Sequence, residues 1–171
     1  MITQLKVEKS LVEKLFQLCQ AKGLKIITAE SCTGGMLSSA ITSVAGSSAY
    51  FEQGFITYSN QAKIQLLKVK KALIDKYGAV SMQVAKQMAI GALNQTLNKV
   101  DETIAVSITG IAGPETSVNK PVGLVYIATT GRDNTYQYRH NFLGSREEIR
   151  RQSVIASLQH LIHHAEIYGR K

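Results

Sequence analysis

The 171-residue sequence predicts a layered α/β domain, with a mixed sheet covered by helices on both faces. Three observations carry the prediction. Strand-length apolar runs alternate with helix-period segments through the first hundred or so residues. Three β-rich runs follow, and the last two are separated only by residues 131–134, close enough for a hairpin and therefore for antiparallel pairing. A hydrophobic content of 44% over this length suits one domain with a real core, spanning residues 1–171 with nothing that resembles a linker.

Val7, Leu11, Leu15 and Leu18 recur at spacings of four, four and three, so residues 7–22 are predicted as an amphipathic helix, ended by Gly23 in the left-handed position. Residues 24–29 read as a buried strand and residues 36–44 as the helix after it. A second strand is expected near residues 49–57, and short helices over 60–69 and 71–77, the latter stopped by Gly78. Residues 81–99 read as a longer helix, in which Ala85, Ala89, Gly91 and Ala92 suit close packing. Residues 103–108, 122–129 and 135–142 are rich in β-branched and aromatic residues and are predicted strands. Residues 146–166 close the chain as a helix with Val154, Leu158, Leu161 and Ala165 on one face, and Ser145 and Glu148 are spaced as a capping box at its start.

Composition narrows the function classes. A net charge of +8 asks for an anionic partner, yet the basic residues are dispersed into Lys68, Lys70 and Lys71, then Arg146, Arg150 and Arg151, then an Arg170–Lys171 tail. Aromatic residues are 6% and do not interleave with them, so a few cations aimed at a small anionic ligand account for the balance as well as a nucleic-acid groove does. No apolar run reaches membrane-spanning length, and no signal peptide is expected. Cys19 and Cys32 form neither a disulfide framework nor a paired-thiol motif, which points to the cytosol. All four histidines lie late: His140 stands apart on a predicted strand, and His160, His163 and His164 lie on the last helix. His160 and His164 have the spacing of a metal pair, but no carboxylate or thiolate cluster accompanies them, so they read as solvated helix-face residues and no metal is expected. There is no Walker A pattern, and Gly110-Ile111-Ala112-Gly113 has the wrong spacing for a dinucleotide fingerprint, so no ATP or dinucleotide cofactor is expected.

Four segments at predicted strand ends or turns are able to carry chemistry. In Thr28-Ala29-Glu30-Ser31-Cys32-Thr33-Gly34-Gly35 a strand becomes a helix, where unbonded N–H groups and the helix dipole favour an anion or a developing oxyanion. The same Ser/Thr/Gly pattern is also an ordinary helix cap. Ala45-Gly46-Ser47-Ser48 is a hydroxyl-bearing turn before a strand; Thr57-Tyr58-Ser59-Asn60 precedes Lys63; and Thr109-Gly110-Ile111-Ala112-Gly113-Pro114 follows a strand. Arg146 and Arg150, one helical turn apart, add two cations on one face. With no histidine near these segments, a serine nucleophile needs lysine as its base, and the lysine must be neutral. Lys63, beside Ile64, Leu66 and Leu67, is either such a partly buried base or an ordinary surface lysine. Cys32 is a rival nucleophile, although adjacent turn residues need not point the same way.

Four ordered motifs carry a family resemblance: Glu30-Ser31-Cys32-Thr33-Gly34-Gly35, Tyr58-Ser59-Asn60 with Lys63, Thr109-Gly110-Ile111-Ala112-Gly113-Pro114, and Lys120-Pro121-Val122-Gly123. Together they resemble the CinA C-terminal domain family, over nearly the whole chain. The resemblance implies a three-layer α/β/α sandwich whose mixed, mostly parallel sheet ends in a late antiparallel hairpin. It implies a cytoplasmic amidohydrolase that converts nicotinamide mononucleotide to nicotinate mononucleotide and ammonia in pyridine-nucleotide recycling, with no cofactor or metal, assembled as a homodimer or higher oligomer. By position it makes Ser31 the nucleophile and Lys63 the general base, with Tyr58 beside them and able to relay the proton. The N–H groups around Thr33, Gly34 and Gly35 would hold the oxyanion. Glu30, Cys32, Gly46, Ser47, Ser48, Thr109, Gly110, Ala112, Gly113 and Arg146 complete the expected substrate site, with Arg146 and the Gly110–Gly113 turn on the phosphate. The alternative is a non-catalytic phospho-ligand or partner-binding domain of the same family, linked to competence or DNA damage. Glu115 to Asn119 departs from the glycines usual in the family after Pro114, and Ser145 stands where the family often has aspartate.

Overall fold

The computed structural model describes residues 2–114 and 120–169, with side chains from Glu8 onward. The 115–119 departure, the Val7 side chain and the Arg170–Lys171 tail lie outside the described residues. The elements run α1 (Ile2–Lys22), β1 (Lys25–Glu30), α2 (Met36–Thr42), β2 (Phe51–Ile56), α3 (Asn60–Leu67), α4 (Lys71–Tyr77), α5 (Met82–Leu93), β3 (Thr103–Gly110), β4 (Leu124–Thr130), β5 (Thr135–Asn141) and α6 (Arg146–Ile167). The five-stranded sheet has the order β2-β1-β3-β4-β5. β1 pairs parallel with both β2 and β3, whereas β3–β4 and β4–β5 are antiparallel, so the predicted hairpin closes one side of the sheet.

Successive strand side chains point to opposite faces, and that alternation sorts the core into two layers. Ile26, Ile104, Val106 and Ile108 face α1, α2 and α6, where Leu15, Leu37, Ile41, Leu158 and Leu161 pack on them. Ile27, Ala29 and Ala105 face the other way, against Val84, Met88 and Ala92 of α5 and against Leu67, Val69 and Ile74. The second layer is tighter: Ser107 Oγ donates to Ala85 O at 2.6 Å, and a Cβ at Gly91 would fall 1.9 Å from Leu67 O. The small residues of α5 therefore set how closely it approaches the sheet and α3.

Tertiary contacts move several element ends. α5 stops at Leu93 rather than running to 99, because the Glu52 carboxylate of β2 takes hydrogen bonds from Thr96 Oγ1, Leu97 N–H and Asn98 Nδ2 and draws the chain off the helix axis. The expected turn before β2 extends through Ala49 as a 3₁₀ turn over Ser47–Ala49, so β2 starts at Phe51 rather than near 49. The Ser145–Glu148 capping box forms as expected at the head of α6.

Of the three helix-face histidines, His163 is exposed as expected, but His160 and His164 are not solvated. His140 does not stand apart: its Nε2 lies 2.9 Å from His160 Nε2, and the His160 ring stacks on Tyr138 with centroids 3.4 Å apart. His164 is buried, 3.0 Å from Thr129 Oγ1. Burial, reinforced by neighbouring histidines, pulls both His160 and His164 down to about 4. Their folded values lie below the ~6.5 of an unfolded histidine, so the unfolded chain takes up these protons first. The stabilisation is present above about pH 6.5 and is lost as pH falls toward 4, by roughly 3 kcal/mol for His164. Thermal unfolding followed from pH 7 to pH 4 should show a falling midpoint, with a shallower fall in His164→Gln.

Candidate active site

Because β1, β2 and β3 run parallel and Glu30 stands opposite both Ile56 and Ile108, the segments leaving these strands gather at one edge of the sheet. Ser31 N–H donates to Ile108 O at 3.0 Å and Thr57 N–H to Glu30 O at 2.8 Å, which ties the three exits together. A cleft of about 420 Å³ opens there, a size that suits a small-molecule ligand. Its walls bring together Ser31, Cys32, Tyr58, Lys63, Arg146 and residues 109–114, and none of the described lining residues is acidic. A second hollow of about 470 Å³, between the β4–β5 turn and the end of α6, contains none of the predicted site residues.

Lys63 is the centre of this cleft. The Ser59 hydroxyl caps α3 by accepting the Ala62 N–H at 3.0 Å, and Lys63, one turn in, runs back beneath the helix start with 1% of its surface exposed. Its Nζ lies 2.9 Å from Ser31 Oγ and donates to the carbonyls of Thr57 at 2.9 Å and Tyr58 at 3.1 Å. Burial lowers its pKa to about 8, against a small opposing effect of Cys32. The Cys32 thiol is pushed up to about 12, chiefly by burial, so at neutral pH it stays protonated and is a poor rival to the serine.

Glu30 is taken out of the expected substrate site. Its carboxylate is fully buried and accepts Gly35 N–H at 3.0 Å, Leu37 N–H at 3.1 Å, Ser38 N–H at 2.8 Å and Ser38 Oγ–H at 2.6 Å. The anion at the head of α2 is thus part of the protein itself. Gly34 and Gly35 adopt φ of +60° and +96°, left-handed values that let the chain double back from Ser31 into α2. The Gly34 N–H donates to Ser31 O at 3.1 Å, so neither glycine N–H is available to an oxyanion. Thr33 is buried, and its hydroxyl finds no partner among the described residues.

The remaining predicted residues divide between the cleft and the far end of the sheet. Thr109 Oγ1 donates to Ala79 O at 2.9 Å, anchoring the Ala79–Val80 wall beside Gly110, Ala112 and Gly113. Arg146 spans the rim, donating to Gly113 O and, at 2.9 Å, to the Tyr58 hydroxyl. Tyr58 is 59% exposed; its backbone carbonyl, not its phenol, meets Lys63, so no relay through the ring is in place. Arg150 turns away from any ligand and donates to Cys32 O at 3.1 Å and Thr33 O at 2.8 Å. Gly46, Ser47 and Ser48 lie elsewhere: they lead into the start of β2, whose Phe51 pairs with Ile26 near the start of β1, roughly 20 Å along the sheet from Ser31. Asn60, Ala79 and Val80 line the cleft without having been singled out for the site. Asn60 belongs to the Tyr58-Ser59-Asn60 motif, but the Ala79–Val80 turn carries no local signal of its role.

Fold and site define a class, a three-layer α/β protein with a serine hydroxyl set against a buried lysine amine at the carboxyl edge of its parallel strands. The sequence model described as CinA C-terminal domain matches residues 8–165, and the chain belongs to that family. It is 47% identical over 153 residues to the nicotinamide-nucleotide amidohydrolase PncC of Escherichia coli (strain K12), covering 88% of this chain and 90% of that protein. It is 46% identical over 142 residues to the PncC of Enterobacter agglomerans, covering 82% and 84%. Among solved structures, the competence/damage inducible protein CihA from Agrobacterium tumefaciens superposes with a TM-score of 0.82 at 42% identity, covering 90% of this chain and 94% of that one. A CinA superfamily protein from Klebsiella pneumoniae 700603 superposes with a TM-score of 0.87 at 30% identity, covering 93% and 98%.

Proposed function

We propose that this protein hydrolyses the carboxamide of nicotinamide mononucleotide, releasing ammonia and nicotinate mononucleotide, with Ser31 as nucleophile and Lys63 as general base. The observation that carries the reading is the 2.9 Å contact between Ser31 Oγ and a buried lysine amine. A neutral amine has two N–H groups and one lone pair; the carbonyls of Thr57 and Tyr58 take the two donors, which leaves the lone pair for the serine proton. Lys63 accepts that proton directly as Ser31 Oγ bonds to the amide carbon. The N–H of Cys32, the residue after the nucleophile and part of the cleft wall, is the oxyanion donor in this reading. The protonated lysine then returns its proton to the departing nitrogen, ammonia leaves, and a water deprotonated by the same amine hydrolyses the serine ester. Arg146 on the rim offers the guanidinium for the phosphate, and the lack of described acidic residues in the wall suits an anionic substrate.

The proposal includes a single domain over residues 1–171, a cytoplasmic homo-oligomer, a place in pyridine-nucleotide recycling, and no cofactor. Among the described residues no helix is long and apolar enough to cross a membrane, and no cluster of three or more metal-ligating side chains forms. The test is ammonia release from nicotinamide mononucleotide. The expected result is turnover by the wild type and none above background by a folded Ser31→Ala; an inactive wild type, or an active Ser31→Ala, overturns the reading.

A further inference from the structure

We propose that Arg150 is a positioning residue that carries positive charge through two peptide units to the N–H of Cys32. The inference rests on the functional reading above. Arg150 Nη2 donates to Thr33 O at 2.8 Å, and the N–H of the same peptide unit, that of Gly34, donates to Ser31 O at 3.1 Å. The N–H of that next peptide unit belongs to Cys32, beside the nucleophile. In a trans peptide the carbonyl and the N–H point opposite ways, and a carbonyl that accepts a charged hydrogen bond makes its own N–H a stronger donor. The chain Arg150, Thr33–Gly34, Ser31–Cys32 therefore sharpens the last donor and fixes its direction. Arg150 Nε adds a bond to Cys32 O at 3.1 Å, so the peptide units on either side of Thr33 are held from α6.

Two features fit this role. With φ at +60°, a value that L side chains rarely adopt, Gly34 lets the turn close beneath the Arg150 guanidinium. Arg146, one helical turn earlier, faces the rim, so the two arginines divide their work: one toward the ligand, one toward the backbone behind the nucleophile. Arg150 touches no reacting atom; its effect passes through a donor that strengthens as negative charge develops on the substrate oxygen.

The experiment compares wild type, Arg150→Ala and Arg150→Lys in steady-state turnover of nicotinamide mononucleotide, with amide proton spectra of each protein. Arg150→Ala should lower kcat by roughly 10- to 100-fold, with KM within about twofold and the apparent pKa of the rate unchanged. Added guanidinium should restore part of kcat, and Arg150→Lys should fall between. The Gly34 and Cys32 amide protons should move upfield in both variants. An unchanged kcat, a loss confined to KM, or unmoved amide protons overturns the proposal. If Arg150→Ala does not fold, Arg150→Lys decides by the same readouts. A wild type without ammonia release defeats the functional reading alone, because the amide proton shifts still decide the relay.

Discussion

Lys63→Met is expected to lower ammonia release by roughly 10⁴-fold or more, and combining it with Ser31→Ala should cost little beyond either change alone. The two side chains act as one unit: without the amine the hydroxyl keeps its proton, and without the hydroxyl the amine has nothing to activate. The 2.9 Å contact is buried, so bulk water cannot readily substitute for the base. In the wild type the reactive form is the neutral amine, whose fraction grows as pH rises through about 8. Activity should therefore climb about tenfold per pH unit below that value and level off above it. A flat profile between pH 6 and pH 9 would remove Lys63 from the role of base.

The same pKa has a consequence for stability that needs no substrate. A value of about 8 lies below the ~10.4 of an unfolded lysine, so between the two the unfolded chain binds more protons than the folded one. Stability of the wild type relative to Lys63→Met should rise as pH goes from 8 toward 10, by up to about 1.4 kcal/mol per pH unit. Equal pH dependence in the two proteins would mean that the amine stays charged in the folded state.

Much of this arrangement could be read before any coordinates, and the reasons differ by element. The order of helices and strands follows from periodicity, because the residues that give β1, β3 and α6 their patterns are those that fill the two core layers. Ser31 and Lys63 were recognisable as residue types in motifs, but their contact depends on β1 and β2 pairing in parallel, which no local pattern states. Gly46, Ser47 and Ser48 were placed in the site because a hydroxyl-rich turn looks alike on either side of a strand; here it precedes β2 and so belongs to the opposite edge. The capture of residues 96–98 by Glu52 and the pairing of His140 with His160 bring together residues far apart in sequence, so neither the end of α5 nor the histidine environment was legible. Arg150 was legible as a cation and not as a backbone ligand, since its acceptors are carbonyls that every residue has.

Glu30→Ala is expected to cost about 4 kcal/mol, the scale of breaking a buried charged network, and so to lower the thermal midpoint by roughly 8–16 °C. The carboxylate has no exposed surface and satisfies the N–H groups of Gly35, Leu37 and Ser38 and the Ser38 hydroxyl. Alanine leaves the buried Leu37 N–H and the part-buried Gly35 N–H, Ser38 N–H and Ser38 hydroxyl without their acceptor, removes the negative charge from the start of α2, and opens a cavity under the Ser31 turn. Glu30→Gln keeps the shape but must turn one amide NH₂ toward donors already aimed at it, so it should lose about half as much. Both variants should lose kcat along with stability, because Gly35 is held by Glu30 at one end of the turn whose other end carries the nucleophile. A substrate ligand would behave otherwise, raising KM while leaving the melting temperature near that of the wild type. Calorimetry and kinetics on the same two variants therefore separate an internal anion that shapes the turn from a residue that contacts the nucleotide.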